Sequence, residues 1–160
     1  MIATILIAAA LQAAPVGSAA WKERNHPDLP VFPDCEIAAD ATVALSLKDI
    51  PADVAAELTR YFNTAVPMSD AGGPFNSTDV DEGLPVPRQR FVRAYKSERV
   101  WVIWYELGGR ARGSRTIAVE QTSINGKQAP SFRVDPGTAL TGNLCVATKA
   151  ILSGVRSASF

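Results

Sequence analysis

Hydrophobic positions along this chain follow no period at first, then a helical one, then that of a strand, and finally the helical one again. The opening block, Ile2 to Ala14, is apolar throughout, and the first twenty residues carry no charged side chain. Such a run is too short to span a bilayer and has no polar face. It is followed by Pro15, Gly17 and small residues, with Ser18 and Ala20 at the spacing a signal peptidase accepts. The pattern predicts a signal peptide over residues 1–20 and a mature chain starting near Trp21, with Ala19 as the adjacent alternative. The competing reading is a buried N-terminal helix, which the uniformly apolar run and its small-residue end fit poorly.

Beyond the opening block, residues 21–33 carry three prolines and no period, which predicts an extended arm. Val43, Leu45 and Leu47 alternate with smaller residues, as in a short strand. Ile50, Val54, Leu58 and Tyr61 then form one stripe at helical spacing. Pro51 suits the first turn, and Asp49 and Asp53 suit its electropositive end, so a helix is expected over about 51–62. Residues 63–87 are rich in turn formers and read as one long loop. A loop of that length in a small domain is either functional or poorly ordered.

Four strand-like runs follow, at 90–95, 99–107, 115–121 and 128–134. Short connections separate them, and Asn125-Gly126 is a strong hairpin signal. A last stripe of Leu140, Leu144, Cys145, Thr148, Ile151 and Leu152 predicts a second helix over about 138–153, ended by Gly154. The expected fold is therefore a single α+β domain over residues 21–160, an antiparallel meander of four or five strands packed with two helices.

The run Arg99 to Leu107 is apolar on both faces, so its own pattern does not say which face is core. Simple hairpin registers, pairing Leu107 with Ser114 and Tyr95 with Arg99, gather Val92, Ala94, Val100, Val102, Trp104, Ile117 and Val119 on one side. The other side then carries Phe91, Arg93, Trp101, Ile103, Tyr105, Ala118 and Glu120. That second face is aromatic and interrupted by charge, the composition of a binding surface. Arg93, Trp101, Ile103 and Tyr105 are accordingly candidate partner-binding residues, with Arg93 placed for a cation–π contact with Trp101. On this register Val100, Val102 and Trp104 should be the more buried set. A helix, the arm or the long loop covering the face is the alternative, and a one-residue slip would exchange the two sides. In the hairpin GGRARG, Arg110 and Arg112 are candidates for holding a carboxylate or phosphate, or else are simply solvated.

Charge and cysteine content refine this picture. Sixteen basic residues balance sixteen acidic ones. They are unevenly spread, with twelve acids against four bases from Trp21 to Glu82 and the reverse from Gly83 onward. In so short a chain this predicts two halves that pack with complementary fields, and it gives no support to nucleic-acid binding. Export would place Cys35 and Cys145 in an oxidising compartment, where an even pair has one possible connectivity. A disulfide closing so long a loop is worth about 4–5 kcal/mol in the chain-entropy picture; two buried free thiols are the alternative. Neither cysteine belongs to a CxxC, so redox catalysis and a zinc site are unsupported, and no metal or cofactor is expected.

Catalytic signals are sparse. His26, the sole histidine, lies in the proline-rich arm, and no nucleophile elbow, HExxH or phosphate-cradling loop occurs. Asp79, Asp81 and Glu82 cluster in the long loop, where they suit hydrolysis or calcium binding less well than plain solvation. The sequence thus points to a small periplasmic or secreted, disulfide-bonded protein that binds another envelope or secreted protein, with no catalytic role evident. A weak envelope hydrolase using the loop carboxylates and a structural envelope component are the alternatives.

Overall fold

The computed structural model describes residues 17–80, 85–122 and 131–158. The first sixteen residues, the Asn125-Gly126 turn and the loop acids Asp81 and Glu82 lie outside that set. The described chain is α+β. Five antiparallel strands, β1 (Thr42–Ala44), β2 (Gln89–Ser97), β3 (Val100–Leu107), β4 (Gly113–Thr122) and β5 (Ser131–Val134), lie in sequence order across one sheet. Helices α1 (Ala19–Asn25), α2 (Ala52–Phe62) and α3 (Leu144–Leu152) accompany them.

Helix α2 forms where its stripe predicts. Pro51 takes the N-cap position at φ −56°, and Asn63 closes the other end at φ 48° with its N–H on the Arg60 carbonyl. Helix α3 is shorter than the expected 138–153. Its predicted first turns run beside β4 instead: the Leu140 carbonyl accepts the Thr116 N–H at 2.9 Å, and Thr138 Oγ1 accepts the Ala118 N–H at 2.9 Å. Gly142 then turns the chain at φ 89°, and the Asn143 side chain caps the helix by accepting the Val146 N–H at 3.0 Å. The arm is also not extended throughout, because residues 21–25 belong to α1. That helix stops at His26, as the preference of a residue before proline for extended backbone requires.

Both faces of β3 are core. On one side α2 packs Val54 and Leu58 onto Phe91, Ala94, Trp101, Ile103, Tyr105, Ile117 and Val119. On the other, α3 and the arm pack Leu144, Ile151 and Cys35 onto Val92, Tyr95, Val102, Trp104 and Ala118. The expected register is off at both hairpins. Leu107 pairs with Gly113, and Ser97 pairs with Val100 across a two-residue turn in which Glu98 sits at φ 49°. Phe91 pairs with Tyr105 but Arg93 with Trp104, so Val92 is an extra residue in β2. This bulge reverses the facing of everything after it.

Each outer edge of the meander is patched from two pieces. β1 covers one half of β2, and Ser69 covers the other half through a bridge to Arg90. β5 covers one end of β4, and Thr141 bridges Arg115 near the other. The disulfide between Cys35 and Cys145, with Cα atoms 5.3 Å apart, fastens the arm to α3. Ion pairs Arg93–Asp34, Arg110–Asp79 and Arg133–Glu57 join the base-rich half to the acid-rich half, as the charge pattern suggests. Among the described residues no helix is long and apolar enough to cross a membrane.

Candidate functional site

Trp101, Ile103 and Tyr105 are 5%, 0% and 3% exposed, so the face expected to be open lies sealed beneath α2. Phe62 stands edge-on to Tyr105 with ring centroids 5.2 Å apart. Burial pushes the Tyr105 phenol up to about 12, with Arg115 acting in the opposite direction. The expectation that Val100, Val102 and Trp104 would be the more buried set therefore fails, because Trp101, Ile103 and Tyr105 are all buried while Val100 is only half-buried. Arg93 leaves the aromatic group altogether. The bulge turns it to the α3 side, where its guanidinium lies 5.4 Å from the centre of the Trp104 ring and 3.7 Å from Asp34. The cation–π contact exists, with Trp104 in place of Trp101.

The structure separates the hairpin arginines. Arg110 is almost fully exposed and is held by Asp79, whose carboxylate accepts its backbone N–H at 2.6 Å and its Nε–H at 3.2 Å. Arg112 lines a cavity of about 490 Å³ with Glu23, Arg24, His26, Asp28 and Thr78. Three sequence-remote segments meet there: the end of α1 with the arm, the long loop, and the β3–β4 hairpin.

The walls of this cleft are fastened by buried polar contacts. The Phe75 N–H donates to the Asn25 carbonyl at 2.6 Å, and the Ser77 hydroxyl donates to the Arg24 carbonyl at 2.7 Å. Behind them lies Arg90, which is 0% exposed. Its Nε donates to Glu106 at 2.8 Å and its Nη1 to the Pro27 carbonyl at 2.6 Å. Its Nη2 reaches the Asp28 carbonyl at 3.3 Å and Glu106 at 2.6 Å, while Phe75 stacks 4.5 Å from the guanidinium. A buried charge is tolerable only with this degree of pairing.

Gly108 completes the arrangement. A Cβ there would lie 1.8 Å from the Asn76 carbonyl oxygen, so the long loop can cross the end of β3 only over a glycine. Gly109, at φ 87°, then turns the chain towards Arg112. The abrupt end of the apolar run thus reflects a backbone crossing as well as a turn.

Chemically the cleft offers hydrogen bonds and charge. Ser77 spends its hydroxyl on Arg24, and Thr78 donates its own to Asn76 Oδ1 at 3.0 Å. The carboxylates Asp79 and Glu106 are each tied to a different arginine. Among the described residues no group of three or more His, Cys, Asp or Glu side chains is placed to hold a metal ion. Sequence reasoning singled out Arg112 and missed Arg90, Ser77 and Thr78. The one signal available was the long turn-rich loop itself. No protein-family model matches the chain, and no curated protein or solved structure matches it either.

Proposed function

We propose that this is a small exported binding protein that engages another envelope or secreted protein through the cleft around Arg112. The observation that carries this reading is the construction of the cleft: exposed Glu23, His26 and Asp28 stand on the α1–arm segment and Arg112 on the hairpin, with the arm locked from behind by the buried Arg90. Rigid presentation of polar groups lowers the ordering cost of recognition. Export is supported by the uncharged apolar opening, the Ser18 and Ala20 spacing and the disulfide. The partner supplies complementary charge, and Arg112 is the side chain best suited to a forked contact with its carboxylates. Affinity capture from envelope extract with the mature protein tests the reading. Arg112→Ala should lose the captured partner while its melting temperature stays unchanged. Equal capture by both proteins would remove the cleft from consideration.

A further inference from the structure

A second cavity, on the opposite flank of the sheet from the arm, lies between α2 and β5. It has a volume of about 310 Å³, and Asp53, Ala56, Glu57, Arg60, Phe132 and Arg133 line it. Its floor is the carboxylate of Glu57, 3% exposed on an otherwise apolar helix face. That carboxylate is saturated. It accepts Arg60 Nε and Nη2 at 2.6 Å each, the Val134 N–H at 2.8 Å and Arg133 Nη1 at 3.3 Å.

One buried carboxylate therefore holds two guanidinium groups, from a helix and from a strand distant in sequence. Both arginines remain largely exposed, at 61% and 60%. The contacts with Glu57 use one edge of each fork. Among the described residues, the Nη1 side of Arg60 stays unengaged, and so does the Nε and Nη2 edge of Arg133, whose remaining contact there is Nη1 to the Phe132 carbonyl at 3.4 Å. Glu57 cancels one of the two positive charges. Asp53 stands exposed at the rim without a contact to either arginine, where solvent screens it.

An unengaged guanidinium edge, held from behind so that it loses little freedom on binding, is the complement of a two-oxygen anion. Ala56 and Phe132 supply an apolar wall beside it. We propose that this cavity binds a small organic anion, its carboxylate or phosphate lying across Arg60 and Arg133 and its apolar body against Ala56 and Phe132. The volume, at the lower end for ligand pockets, limits the guest to a small molecule. This site shares no residue with the arm cleft, so its fate is independent of the function proposed above.

The test is a titration of the ¹⁵N-labelled protein with benzoate, phenyl phosphate and neutral benzamide at constant ionic strength, followed by amide NMR shifts. Saturable shifts are expected at residues 53–60 and 131–134 with one or both anions and none with benzamide; the stronger anion identifies the headgroup. Arg133→Gln should weaken that binding by about ten-fold or more, the worth of a charged hydrogen-bonded pair. Arg133→Lys, which keeps the charge but loses the fork, should weaken it nearly as much. An unchanged near-UV spectrum would show both variants folded, and Arg60→Gln replaces any variant that is not. Shifts that fail to saturate, that benzamide reproduces, or that persist undiminished in the variants would overturn the proposal.

Discussion

Removing the Arg90 guanidinium would strand the Glu106 carboxylate and leave the carbonyls of Pro27 and Asp28 without their donor. Breaking one side of a buried ion pair costs about 3–5 kcal/mol, so Arg90→Met should lower the urea midpoint steeply. Arg90→Lys should recover only part, because a single ammonium cannot span Glu106 and the carbonyls of the arm together. Little in the sequence distinguished Arg90 from Arg93, for both flank apolar residues in the first half of β2. What separates them is the crossing of the arm and loop above Arg90, a tertiary fact.

Tyr105 carries a second prediction at this scale. Its folded pKa is raised to about 12 by burial, against about 10 in the unfolded chain. The native state thus holds the phenolic proton more tightly. The stability this contributes is fully present below pH ~10 and is lost as pH rises through ~12. Unfolding titrations above pH ~10 should show that decline, and Tyr105→Phe should flatten it.

The strands, their meander order, α2 and the body of α3 were readable from period; α1 and the strand registers were not. A strand loaded on both faces gives no parity signal, and three local events decided the outcome. The β3–β4 hairpin closed with Leu107 opposite Gly113, one residue from the expected pairing. Glu98 took a left-handed conformation that shortened one turn, and Val92 entered as a bulge that redirected Arg93. Because both faces of β3 are sealed, Trp101→Ala should now be the costlier change, at about 3–5 kcal/mol for a buried aromatic, against about 1–3 for Val102→Ala. Chemical denaturation of the pair decides it, and a smaller loss for Trp101→Ala would restore the open-face reading. Gly108→Ala should disrupt more than its single methyl suggests, since the loop at Asn76 must move to admit it. Altered amide shifts at Ser77 and Thr78 would report that movement.

Across the whole molecule, stability rests on ties between distant segments. The 110-residue separation of Cys35 and Cys145 implies a loss of about 4–5 kcal/mol on reduction, equal in Cys35→Ser and Cys145→Ser if the bond is the sole cause. Melting with and without reductant checks this. Acid should loosen another pair of ties. The forked hydrogen bonds of Arg60, stronger than the opposing burial, hold Glu57 below its ordinary value. Burial pushes Asp70 up, yet the Ser46 hydroxyl and the amides of Leu47 and Ala71 outweigh it and leave it lowered as well. Their contribution is therefore complete above pH ~4 and fades as pH falls through the depressed values. Glu57→Gln should show a shallower acid transition than the parent protein.

The disulfide also sets an order of events. A chain made from its N-terminus exposes Cys35 long before Cys145 exists, and all five described strands are synthesised in between. With no third cysteine in the sequence, the early thiol has no wrong partner within its own molecule; its only premature partners are other molecules. Cys145 sits in α3, which follows all five described strands in sequence and packs on β3 and β4. The bond can therefore close only once the five described strands have been made, and a cell that inspects thiols would read an open Cys35 as a chain whose α3 has yet to reach it.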